Sequence, residues 1–190
     1  MASIVGICNR ALQKLGSQAI VSLTENTRNG RSVNRAYDSV RRAELENHPW
    51  AFATKHASLA ADAPSPQWGR QNAFTLPTDF VRLLTDYPEY LSNADDYQIE
   101  DGKIITNQDA PLKIRYTSDV TDVSKFTPLF CEVLACKLAV EMAAEITQSA
   151  GISTEVNDQY EKEIRKAKKQ NAFQSRPAQA PDDTWITARN

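Results

Sequence analysis

Ile4, Ile7, Cys8, Ala11, Leu12 and Leu15 recur at alternating steps of three and one, which places them on one stripe of a helix. Ser3 supplies an N-cap and Gly16 a stop, so the pattern predicts a first helix up to Leu15. After the polar linker SLTENTRN, a second helix is predicted from about Asn29 to Asn47. Its inward residues are Val33, Ala36, Tyr37, Val40 and Ala43, with Arg28, Arg31, Arg35, Arg41 and Arg42 largely outward. Pro49 disfavours helical geometry at His48 and should end the helix there.

From Trp50 the period changes to two, with Trp50, Phe52, Thr54, His56 and Ser58 on one side of an extended segment. AFTLP, FVRLL, YQIE, KIIT and LKIRYTS read as further short strands, and EDGK at 100–103 as a hairpin turn centred on Asp-Gly. A small antiparallel sheet is therefore expected between about residues 51 and 120.

A third helix, roughly Pro128 to Thr147, is apolar round most of its circumference, as a helix central to the core must be. Gly151 punctuates it, and Ser153 can cap a fourth helix with a narrower stripe of Val156, Tyr160, Ile164 and Ala167. The remaining FQSRPAQAPDDTWITARN is Pro-, Gln- and Ala-rich, the composition of an arm that does not pack alone. The predicted class is α+β: an antiparallel bundle of about four helices, an inserted small antiparallel β region and an extended C-terminal arm. The expected division is 1–50 with 124–172 as the helical domain, 51–120 as the β-rich domain and 173–190 as the arm.

Length allows a real core, since 190 residues bury roughly 70% of the unfolded surface. A net charge of −2, from 22 basic and 24 acidic residues, gives no overall attraction to nucleic acid or anionic membrane, so such a partner needs a local patch. Three cysteines cannot close a disulfide framework and read as free thiols of a reducing cytosol. The N-terminus lacks the pattern of a signal peptide, and charges interrupt every apolar run before it reaches membrane-spanning length. A soluble chain with no membrane partner is expected.

Candidate chemistry is sparse. His48 and His56 flank the predicted helix-to-strand change without CxxC or HExxH, which argues against a metal site. No GxSxG elbow accompanies a serine, Cys131 and Cys136 fall on the crowded third helix, and the six glycines never cluster into a phosphate loop. The acidic run from Asp86 to Asp101 includes Glu89, Asp95, Asp96 and Glu100, and a carboxylate pair there is the requirement for the alternative reading, a cell-wall or polysaccharide hydrolase. The strongest charge asymmetry is EKEIRKAKKQNAFQSR, where Lys162, Arg165, Lys166, Lys168, Lys169 and Arg176 outnumber Glu161 and Glu163. It suits an acidic protein partner or, as a third reading, DNA, although Phe173 is its only stacking side chain.

The order of parts carries more than any single motif: CNRALQKLG, then HPWAFATKHASLA, FTLPTDFVRLL, LFCEVLACKLAVEMAAEIT, and a terminal Trp near Ala-Arg. From Ile4 to about Arg189 the chain resembles the head-to-tail adaptor proteins of short-tailed bacteriophages, the tail tubular protein A and tail accessory factor family. His48, Pro49 and Trp50 match that family's HPW, and Leu76, Pro77, Asp79, Phe80 and Arg82 match its LPxDFxR.

The resemblance implies a non-enzymatic virion protein, made in the host cytoplasm and located at the head–tail junction. Copies of it would form a ring, usually a dodecamer, between the portal protein and the next tail protein, a nozzle or tube. The ring would help retain the genome and later let DNA pass with transient, non-specific contact. Under this expectation Lys166, Lys168, Lys169, Phe173, Arg176, Trp185 and Arg189 are portal or subunit-interface candidates, and Trp185 offers the large aromatic anchor enriched at hot spots. Pro49, Trp50 and Phe52 form a structural joint between helices and sheet, and Asp95 and Asp96 are channel-facing candidates whose charge would repel phosphates. No catalytic residue, cofactor or metal is expected.

Overall fold

The computed structural model describes residues 3–63, 66, 69–86, 89–92 and 96–174. Helix α1 spans Ile4–Lys14, with the Ser3 hydroxyl accepting from the Gly6 amide. It ends in a Schellman motif: Gly16 has φ of 64°, its N–H donates to Gln13 O, and Ser17 N–H donates to Leu12 O. Helix α2, Arg28–Asn47, is capped by Thr27, whose hydroxyl accepts from Gly30 N–H. Gly30 is required by close approach, because a Cβ there would lie 2.3 Å from the Glu25 carbonyl oxygen. His48 is extended, as Pro49 demands, and the helix stops.

Two expectations for α2 are corrected. Arg41 is only 3% exposed, because Asp119 and the Val120 carbonyl, from a segment distant in sequence, accept its guanidinium hydrogens. Ala43 is exposed, although it follows Val40 by three positions, while Glu44 and Leu45 point inward, four positions after Val40 and Arg41, so the buried stripe shifts to that side at the end of the helix.

The expected period-two segment at Trp50 is also corrected. Ala51–Ala53 form a short 3₁₀ turn, and strand β1 begins at Thr54 and runs to Leu59. The other strands are β2 (Asn72–Thr75), β3 (Phe80–Leu84), β4 (Tyr97–Glu100), β5 (Lys103–Thr106) and β6 (Leu112–Ser118). They make two antiparallel three-stranded sheets, β1-β6-β3 and β2-β5-β4, where one had been expected. The β4–β5 hairpin turns at Asp101 and Gly102, both with positive φ (48° and 70°), the geometry that matches strand twist.

Helix α3, Pro128–Thr147, starts from the Thr127 cap with Pro128 in its first turn. Gln148 in the left-handed conformation (φ 53°) ends it, and α4 runs from Ala150 to Gln174. Gly151 and Ser153 thus lie inside α4 rather than punctuating or capping it, because the break is made three residues earlier at Gln148. Phe173, expected at the start of an arm, belongs to the last helical turn; residues 175–190 lie outside the described residues.

The molecule is mixed α and β with two apolar clusters. α3 is the centre of the first, packing on α1, α2 and α4, and the cluster takes in Trp50, Ala53, Val120, Val123 and Phe126 from the connections. The second draws Phe74 and Ile104 from one sheet and Leu112, Ile114 and Tyr116 from the other, with Leu91 from a loop. Arg41 with Asp119, Arg82 with the Glu46 carbonyl (2.9 Å), and Ser118 with the Ala53 carbonyl (2.9 Å) join the helical and β parts. No described helix is long and apolar enough to cross a membrane.

Candidate interaction surface

The HPW corner shows why its residues are where they are. Pro49 ends α2 and leaves main-chain groups of the following turn without helical partners, and Asn171 on α4 meets them. Its Oδ1 accepts from Ala51 N–H at 2.8 Å, its Nδ2 donates to the Pro49 carbonyl at 3.0 Å, and His48 Nε2 lies 3.1 Å from that same Nδ2. Accepting from the amide suits a neutral imidazole. Burial, with Lys168 and Arg82 nearby, lowers the His48 pKa to about 4, which keeps the ring uncharged.

Trp50 is 1% exposed and donates its indole N–H to the Glu44 carbonyl at 2.8 Å. It stands edge-on to Phe130 at 5.1 Å, and Phe52 packs between Phe126 (5.5 Å) and Phe130 (4.9 Å). Both aromatic rings therefore belong to the helical cluster; the link to the sheet is carried by Ser118 and Arg41. His56 is exposed on β1, 5.0 Å from the Tyr90 ring.

The second half of α4 supplies the surface. Val156, Tyr160, Ile164 and Ala167 form its buried stripe, and Asn171 continues the same spacing. Opposite lie the cations. Arg165 reaches Glu161 at 3.7 Å and Lys166 reaches Glu163 at 2.6 Å, whereas Lys162, Lys168 and Lys169 form no ion pair among the described residues. Phe173 is 74% exposed at the end of this basic helix. Between the end of α4 and the start of α3 is a cleft of about 280 Å³, floored by Trp50 and lined by Thr127, Pro128, Leu129, Ala167, Gln170, Asn171 and Gln174. Lys168, Lys169, the exposed Phe173 and the adjacent apolar cleft thus share the last two turns of α4, while Lys162 lies at its midpoint.

Of the interface candidates, Lys166, Lys168, Lys169 and Phe173 share this helix end, while Arg176, Trp185 and Arg189 lie outside the described residues. Asp95 does too. Asp96 is exposed and paired with Arg70, whose hydrogen bond holds its carboxyl below the usual range, so it stands as an ionised partner. In the LPTDFVR segment, Asp79 pairs with Lys55 and accepts from the Tyr116 hydroxyl at 3.0 Å, while Phe80 stacks on Tyr116 at 5.8 Å. Asp79 is accordingly held below the usual carboxylate range, first by Lys55. These contacts brace the β1-β6-β3 sheet.

Sequence reasoning missed Asn171, Glu44 and Arg41. Each is a polar residue on an otherwise apolar stripe, which was the available signal. Glu44 is buried and accepts from the Tyr160 hydroxyl at 2.8 Å; burial raises its pKa. The thiols of Cys8, Cys131 and Cys136 are free and buried, and burial pushes Cys8 up to about 12, far from a reactive thiolate. No group of three or more His, Cys, Asp or Glu able to hold a metal occurs among the described residues. Comparison with protein-family models finds no match, and comparison with curated proteins finds none either.

Proposed function

We propose that this chain is a structural head-to-tail adaptor of a bacteriophage virion, assembling as a ring between the portal protein and the next tail protein. The order of segments that resembles the adaptor family is the starting point. The observation that carries the reading is the far end of α4: Lys168 and Lys169, which form no ion pair among the described residues, the exposed Phe173 and the cleft beside them, all near the point where the chain continues into 175–190. A large exposed aromatic among cations is the composition of a protein-binding patch. Repeated head-to-tail contact between copies closes into a ring when the rotation allows. In that ring the acidic 86–101 region would face the passing DNA, repelling its phosphates and limiting contact to transient encounters.

Multi-angle light scattering of the full chain, alone and mixed with purified portal rings, tests the proposal. A single complex of fixed stoichiometry that weakens when residues 175–190 are deleted supports it. A chain that stays unassociated with portal rings at low and moderate salt overturns it.

A further inference from the structure

We infer that the cleft between the start of α3 and the end of α4 is the docking site of the chain's own C-terminal segment, with Trp185 of the same molecule filling it. The volume, about 280 Å³, falls just below the roughly 300–1,000 Å³ of small-molecule pockets and suits one large side chain. Trp50, Pro128, Leu129 and Ala167 give it apolar walls, while Gln170 and Gln174 place amides at the rim, where a bound peptide backbone needs partners.

The point of departure selects the occupant. Gln174, the last described residue, itself lines the cleft, and the sixteen residues 175–190 begin there. Trp185 follows Gln174 by eleven positions, a run that spans up to about 36–40 Å when extended, so reach does not limit a return to the cleft. Within 175–190 the large apolar side chains are Trp185 and Ile186, and Trp is the type most enriched as an anchor.

Charge agrees with this choice. Asp182 and Asp183 stand just before Trp185, while Lys168, one helical turn before the cleft residue Asn171, forms no ion pair among the described residues. A tether this short gives an effective concentration of order mM, so the intrachain contact precedes one from a second copy in dilute solution. The contact is a property of the isolated chain and is independent of the adaptor proposal.

The full chain labelled with 5-fluorotryptophan gives fluorine signals from Trp50, Trp68 and Trp185, and Trp185→Phe assigns the last. Expected is a Trp185 signal broadened several-fold less by a soluble nitroxide than free 5-fluorotryptophan, unchanged on dilution. Leu129→Lys, and separately Gln170→Glu at the exposed rim, should raise broadening to the free level without altering the thermal transition. Gln170→Glu decides the matter should Leu129→Lys impair folding. A Trp185 signal broadened like the free amino acid overturns the inference. So does protection that fades on dilution, which assigns the cleft to a second copy, or protection that both cleft variants leave intact. No portal ring enters the experiment, so its failure leaves the adaptor proposal standing.

Discussion

Trp50→Ala removes the residue on which α2, α3 and α4 converge. The indole is 1% exposed, packs against Phe130 at 5.1 Å and His48 at 4.8 Å, and donates to the Glu44 carbonyl at 2.8 Å. That carbonyl belongs to the last turn of α2, where intrahelical donors run out. Burying an aromatic of this size removes at least about 150 Å² from water, roughly 4 kcal/mol at 25 cal/mol/Å². The lost hydrogen bond adds about 1 kcal/mol. Because Trp50 floors an open cleft, water can enter the space it leaves, which offsets part of the cavity cost. A net loss of about 4 kcal/mol is expected, within the roughly 3–5 kcal/mol range for buried Trp truncations. Urea unfolding followed by far-UV circular dichroism should show the midpoint fall with an unchanged slope. Trp50→Phe keeps most of the ring contact and should lose only about 1–2 kcal/mol. A loss below about 1 kcal/mol for the alanine variant, or equal losses for both variants, refutes the account of Trp50 as a packed and hydrogen-bonded anchor.

Three further predictions follow from the same geometry. The His48 folded pKa is depressed to about 4 from 6.5, so its contribution to stability is complete above pH 6.5 and is lost as pH falls toward 4; His48→Gln should remove that part of the pH dependence, measured as urea midpoint against pH. Arg41→Ala leaves Asp119 and the Val120 carbonyl without their buried donor and should cost about 3–5 kcal/mol, with Arg41→Lys rescuing little because it lacks the guanidinium fork; equal stability of the lysine variant and wild type in urea unfolding would contradict this. Phe173→Ser should change stability by less than about 0.5 kcal/mol, since the ring is exposed, yet weaken portal-ring binding measured by light scattering. Undiminished binding would remove Phe173 from the proposed interface.

Local chemistry was legible where it acts within a few residues. Pro49 stops α2, Asp101-Gly102 turns the β4–β5 hairpin, and Thr127 with Pro128 starts α3, each by a steric or capping rule that needs no distant partner. Short β-rich runs likewise located the described strands, although β1 starts at Thr54 and not at Trp50. The division into two sheets was not legible, because β6 lies between β1 and β3 while β5 lies between β2 and β4. Alternation tells which face of a strand is buried, not which neighbour it pairs with.

Periodicity failed where an inward position is polar. Arg41 was read as outward from its charge, but its stripe carries it inward, where Asp119, 78 residues away, meets it. Asn171 repeats the pattern: it sits on the apolar stripe of α4 and bonds main-chain groups around Pro49, 122 residues away. A helix stripe records depth, whereas the partner that makes a buried polar group tolerable is set by tertiary packing. A polar residue occurring on schedule in an apolar stripe is therefore informative. In this chain Arg41, Glu44 and Asn171 each mark a junction: α2 with the segment after β6, α2 with α4, and α4 with the Pro49 turn. The last two converge at the Trp50 corner, so the hydrogen bonds that hold the corner lie on the buried stripe of α4 while Gln170 and Phe173 are exposed. Stabilising that corner and engaging a partner through it are thus separable by mutation: changes at Asn171 should lower stability first, and changes at Gln170 or Phe173 should lower binding first.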